Sequence, residues 1–199
     1  QIETHLTFPR SWGLGSSSTL INNIAQWGRV DAFQLLQNAF GGSGYDIACA
    51  QYNSPLTYQL KDGNPQVEKI DFDPIFKQHL FFIHLNQKQN SKEAIANYRE
   101  QQFDKPQLVK EVSDITRRMI GASTLFGFET LMEEHEALLS KVLKIQPVKQ
   151  RLFPDYFGAI KSLGAWGGDF VLATGDEKTR SYFKSKGFET VISYSKMSL

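Results

Sequence analysis

Residues 11–27, "SWGLGSSSTLINNIAQW", set two glycines and then four consecutive hydroxyl side chains directly in front of a helical run. Leu20, Ile21, Ile24 and Trp27 fall at the spacing of one helix face, Gly28 closes that helix, and Asp31 caps a second one, "AFQLLQNAF". A chain that bends on glycine and at once starts a helix gathers backbone N–H groups and a helix N-terminus at one point. That is an anion cradle. Two other phosphate-binding patterns do not fit. A dinucleotide fingerprint needs G-x-G-x-x-G, but Ser18 stands at its third glycine and Asp31 lies between two helices instead of ending a strand. The kinase loop G-x-x-x-x-G-K-[ST] is absent from the sequence. A plain serine N-cap leaves Pro9, Gly13 and Gly15 unexplained.

The surrounding chain is that of a water-soluble globular protein. Of its 199 residues 41% are hydrophobic and 22% charged, with a net charge of +1, which favours neither a nucleic-acid nor a membrane-surface partner. No apolar run reaches the roughly 18 residues that span a bilayer. One cysteine, Cys49, cannot form an internal disulfide and fits a reducing, cytoplasmic setting. The chain opens on Gln1 without a signal-peptide pattern and reads as a processed or partial chain.

Charge divides the chain. Residues 1–66 carry only Arg10, Arg29 and Lys61 against Glu3, Asp31, Asp46 and Asp62; the rest holds 19 basic and 17 acidic residues. The expected boundary is a turn-rich linker, "KDGNPQVEKIDFDP" (61–74), giving regions 1–72 and 73–199. In the first, "IETHLTF" and "LTYQL" read as strands. In the second, "HLFFIHL", "DFVLATG" and "FETVISYS" read as strands. "KPQLVKEVSDITRRMIGA", "FGFETLMEEHEALLSKVLKI", "PDYFGAIKSLG" and "EKTRSYFKSKG" read as helices. The mixture predicts an α+β fold.

Three stretches together resemble the GHMP kinases, the family of galactokinase and of the homoserine, mevalonate and phosphomevalonate kinases. "PRSWGLGSSSTL" resembles its P-x-x-x-G-L-G-S-S motif. "GGSGYDIACA" is similar to the segment carrying the catalytic aspartate, and its "GYDIA" wording resembles a bacterial subfamily. "KSLGAWGGDFVLA" resembles the C-terminal glycine-rich motif. The resemblance implies ATP and magnesium as cofactors and a small-molecule alcohol or phosphorylated alcohol as substrate. By it, Gly13, Leu14, Gly15, Ser16, Ser17 and Ser18 hold the ATP phosphates, Ser16 contacts the metal, and Asp46 orients or deprotonates the acceptor hydroxyl. Gly164, Ala165, Gly167 and Gly168 form a loop closing over the ligand. It further implies a truncated N-terminal α/β domain (ribosomal-protein-like βαβ) over 1–72 and a ferredoxin-like C-terminal domain over 73–199.

Departures from the family pattern stand beside these matches. Leu163 replaces a serine or threonine, Trp166 replaces a glycine, and the acid expected before Asp46 is absent from a segment carrying Gln34 and Gln37. No counterpart of the family's opening lysine-bearing segment precedes residue 9. The chain therefore reads as the C-terminal two-thirds of such a protein, inactive alone, with an open sheet edge that favours a homo-oligomer. A noncatalytic homologue that binds a nucleotide or metabolite is the alternative, and a diphosphomevalonate decarboxylase ranks behind both. The remaining polar residues read as structure: His135 within "EEHEALL" on a solvated helix face, His84 as a hydrogen-bonded strand residue, Arg117 and Arg118 as helix surface, Cys49 as small and buried.

Overall fold

A computed structural model describes residues 3–87, 91–164, 166 and 168–198. The chain divides into two compact units, Gln1–Phe72 and Asp73–Ser198. In the first, a 3-10 turn (Arg10–Trp12) leads into three helices: α1 (Ser16–Gly28), α2 (Ala32–Ala39) and α3 (Tyr45–Gln51). Asp31 caps α2 by accepting from the Gln34 amide at 2.7 Å. Ile21, Ala25, Ala32, Leu36 and Ile47 make a small aliphatic core among the helices. Strands β1 (Leu56–Lys61) and β2 (Asn64–Lys69) follow as an antiparallel hairpin, Leu56 opposite Lys69.

Two expectations fail in this unit. Residues 61–69 are not a linker: Asp62 and Gly63, at φ 51° and 79°, turn the hairpin, and the segment after them is its second strand. The described part of "IETHLTF" is not a strand. No strand among the described residues lies beside it, and backbone groups without a ladder partner stay in water; residues 3–7 are exposed. Among the described residues, therefore, the expected βαβ arrangement is not present.

The second unit follows a β-α-β-β-α-β succession. Strand β3 (Leu80–His84) is followed by helices α4 (Ser91–Glu100), α5 (Lys105–Ile120), α6 (Leu125–Leu143) and the short α7 (Val148–Leu152). Then come β4 (Ile160–Ser162), β5 (Phe170–Thr174), α8 (Lys178–Ser185), β6 (Val191–Ser193) and the single turn α9 (Tyr194–Met197). The sheet order is β4-β5-β3-β6, antiparallel throughout. Its core is aromatic: Phe153, Tyr156 and Phe183 pack with Ile83, Ile160, Val171 and Val191. Side chains cap α5 and α6, where Asp104 accepts from the Gln107 amide and Thr124 from that of Gly127.

"PDYFGAIKSLG" is not the helix its spacing suggests but a turn running into β4. The reason is tertiary. Tyr156 buries its ring and donates to the Thr174 carbonyl at 2.8 Å, and the Ala159 amide donates to the Thr174 hydroxyl at 2.8 Å. Between them Gly158 presses on β5 so closely that an added Cβ would lie 2.0 Å from the Thr174 carbonyl oxygen. Helical propensity yields to these contacts.

Candidate functional site

The glycine–serine stretch forms a bend and a helix start. Gly13 ends the 3-10 turn at φ 67°, Leu14 follows, and Gly15 is the N-cap of α1 at φ 71°. Serine is thus not the cap. No side chain caps this end of α1, whereas α2, α5 and α6 each have a side-chain cap. The Gly15 carbonyl instead accepts the amide and hydroxyl of Thr19, at 2.9 and 3.1 Å. The first amides of α1 lack a side-chain acceptor, and Ser16, Ser17 and Ser18 lie on this first turn. This suits an oxygen-rich anion.

Asp46 stands beside that turn. It lies in the first turn of α3, which packs along α1, and a Cβ added to Gly15 would sit 3.9 Å from Asp46 Cβ and 4.0 Å from its carboxyl carbon. The two helices are tied by polar contacts: buried Asn22 donates to the Ala50 carbonyl at 3.4 Å and accepts from Gln51 at 3.4 Å. The loop before α3 is held as well. Tyr58 of β1 donates its hydroxyl to the Ser43 carbonyl, and Gln37 donates to the Gly42 carbonyl at 2.7 Å. Gly44, at φ 81°, is buried with no room for a side chain, since a Cβ would lie 2.7 Å from the Phe33 ring. These holds over-determine the start of α3 and the position of Asp46.

Desolvation raises the Asp46 carboxyl above the ordinary carboxylate range, although part of the residue stays exposed. Its neighbours behave alike: desolvation raises the Tyr45 phenol and the Cys49 thiol, which hydrogen-bond to each other. Cys49 is exposed, contrary to the buried role expected of it.

The C-terminal glycine motif lies in the second unit. Gly164 turns at φ 62°, Gly168 is buried, and Ala165 and Gly167 lie outside the described residues. Trp166, itself at φ 61°, stacks on Tyr98 of α4 with ring centroids 5.6 Å apart. A pocket of about 410 Å³ opens beside it, and its charged lining residues, Glu93 and Glu100, do not suit a phosphate.

His135 departs from expectation too. Glu133 and Glu134 do face solvent, Glu134 pairing with Arg118 at 3.0 Å, but His135 and Glu136 turn inward against β4. Burial and the nearby Lys161 cation push His135 down to about 4, and its Nδ1 is buried without a partner. Among the described residues no group of three or more His, Cys, Asp or Glu side chains gathers as a metal cluster, and no helix is long and apolar enough to cross a membrane.

Comparison with known proteins gives a fold. No family model matches the chain, and no curated protein matches it. Among solved structures, Leishmania major mevalonate kinase in complex with R-mevalonate aligns at 15% identity with a TM-score of 0.61, over 86% of this chain and 60% of that one. Methanococcus jannaschii mevalonate kinase aligns at 20% and 0.62, over 92% and 63%. The Lin0012 protein of Listeria innocua aligns at 16% and 0.64, over 88% and 63%. The chain shares the fold of the mevalonate kinases. It spans 60–63% of the length of these structures.

Proposed function

We propose that this chain is the greater part of an ATP- and magnesium-dependent kinase that transfers a γ-phosphoryl group to an alcohol or phosphorylated alcohol of mevalonate or phosphomevalonate type. The observation that carries the proposal is Asp46 beside the uncapped, glycine-led start of α1. The shared fold supports it, and on this reading the β4-β5-β3-β6 sheet of Asp73–Ser198 belongs to a ferredoxin-like domain. On this reading residues 1–72 contribute to the nucleotide-binding domain.

The residues fit the cofactors. Gly13 and Gly15 bend the backbone at positive φ around Leu14, and the amides of Ser16, Ser17 and Ser18 would hold phosphate oxygens. The Ser16 hydroxyl is a hard oxygen donor suited to magnesium, which is commonly held by one or two protein groups and by phosphates. When bound, ATP would supply the transferred group and the metal would neutralise charge on it. Asp46 accepts the acceptor's hydroxyl proton at a carboxylate oxygen, and its raised affinity for protons makes it a better base than an unperturbed aspartate.

An ATP-consumption screen of the full-length protein with mevalonate, phosphomevalonate, homoserine and sugars tests the reading. Asp46→Asn should keep ATP binding and lower turnover about 100-fold or more. Unchanged turnover in that variant would remove Asp46 from the mechanism. A second reading, a noncatalytic homologue that binds nucleotide, is favoured by Gln37, which occupies the segment expected to supply an acid and is committed to the Gly42 carbonyl. Tight ATP binding without turnover on any acceptor would select it.

A further inference from the structure

Ser162 is the last residue of β4 and enters the glycine-rich turn two residues before Gly164. Three of its polar groups are engaged by side chains of just two residues. Its amide and its hydroxyl both donate to Oε1 of Glu136, at 3.0 and 2.6 Å, and its carbonyl accepts from Nζ of Lys161 at 3.1 Å. Glu136 is only 7% exposed and comes from α6, 26 residues away in sequence. A buried carboxylate is costly unless it is paired and hydrogen-bonded, and this one has two Ser162 donors with the Lys161 cation nearby. Beyond Ser162, the Leu163 amide donates to the Phe170 carbonyl at 3.1 Å, and the turn is met further on by the stack of Trp166 on Tyr98.

We infer that Glu136 and Lys161 are positioning residues that clamp Ser162 and so set the direction in which the chain leaves β4 at Leu163 and Gly164. The clamp rests on the geometry of the second unit alone. Its meaning for catalysis rests on the kinase reading given above. By accepting two charge-assisted hydrogen bonds, Glu136 does what a backbone ladder partner would do on the outer edge of β4, which has β5 on its other side.

The test labels the full-length protein with 5-fluorotryptophan, assigns the Trp166 resonance by Trp166→Phe, and follows it together with amide exchange at Leu163, Gly164 and Gly168. Ser162→Ala, which removes one bond and little volume, and Glu136→Ala should each shift the Trp166 resonance. Both should also speed exchange at the three amides on the order of tenfold, as expected for loss of a hydrogen bond to a charged group. Amides of the β3–β5 ladder should stay protected, and Glu136→Gln, which keeps an acceptor oxygen, should keep much of the wild-type protection at the three amides. An unmoved Trp166 resonance with unchanged amides in both alanine variants would overturn the clamp. So would equal acceleration across the whole sheet, which marks a merely structural role. If the turn loosens while ATP affinity does not change, the clamp stands and the place of the glycine turn in the kinase reading falls.

Discussion

The two units bury apolar surface by different means. Asp73–Ser198 wraps aromatic side chains around a four-stranded sheet, with Phe153 and Phe183 fully buried and their rings 5.0 Å apart. Gln1–Phe72 has only a few aliphatic side chains between short helices, and it leaves Leu20, Ile24 and Trp27 of α1 turned to solvent, Trp27 at 72% exposure. The candidate phosphate cradle and Asp46 both lie in the less densely packed unit. Sites that must admit a ligand are drawn from such regions, where fewer contacts oppose local opening, while the larger core supplies cooperative stability.

The contrast is broken most severely at Gly158. Gly158→Ala should destabilise Asp73–Ser198 by about 4 kcal/mol or more, because the new methyl meets the Thr174 backbone, which cannot move without parting β5 from its neighbours. Urea unfolding checks this. A loss below about 1 kcal/mol would mean that the turn at 153–159 yields easily and that the dense packing is not rigid.

A smaller and pH-dependent difference comes from His135. Folding lowers its proton affinity from an ordinary value near 6.5 to about 4, so between those limits the unfolded chain binds a proton that the folded chain refuses. Stability therefore rises with pH through this window; it is fully present above about 6.5 and lost as pH falls towards 4, by about 3 kcal/mol at most. Thermal or urea unfolding of wild type against His135→Leu should give curves that differ in slope only between these pH values. Parallel curves would mean that His135 is as well solvated when folded as when unfolded.

The smallest expected effect lies in the first unit. Asp31→Ala removes the cap of the eight-residue α2 and should cost about 1 kcal/mol. Asp104→Ala at the sixteen-residue α5 removes the same kind of bond. Amide exchange should show the loss spreading through α1–α3 in the first variant and staying in the first turn of α5 in the second, if the units differ in packing as described.

What was legible in the chain follows the range of the forces involved. Helices α5 and α6 announce themselves by long amphipathic periods, and β3 and β5 by short apolar runs, since local pattern and burial agree there. The hairpin was hidden because Asp62, Gly63 and Pro65 read as linker residues, although an Asp-Gly pair between extended segments is itself a hairpin signal. "PDYFGAIKSLG" misleads because Tyr156, Ile160 and Leu163 fit helical spacing while Thr174, far along the chain, dictates a turn. The inward turn of His135 is masked by its acidic neighbours. In the candidate site, the cradle was readable from its glycines. The approach of Asp46 to Gly15 depends on helix packing, which only the resemblance to a family suggested. The ties through Asn22 and Gln51 left a fainter signal, a polar residue on an otherwise apolar helix face.

The exposed Cys49 has a practical consequence. It is the chain's one cysteine, and it lies three residues after Asp46 in α3, so the two side chains share a helix face. A thiol-reactive dye would therefore attach at one place, a single helical turn from the candidate carboxylate, without any engineering of the chain. Because desolvation keeps the thiol protonated, coupling should be slow at neutral pH and quicken in mild alkali. Once coupled, the dye's emission would test whether a nucleotide enters the cradle as proposed, and protection of the thiol from labelling by added nucleotide would test the same point.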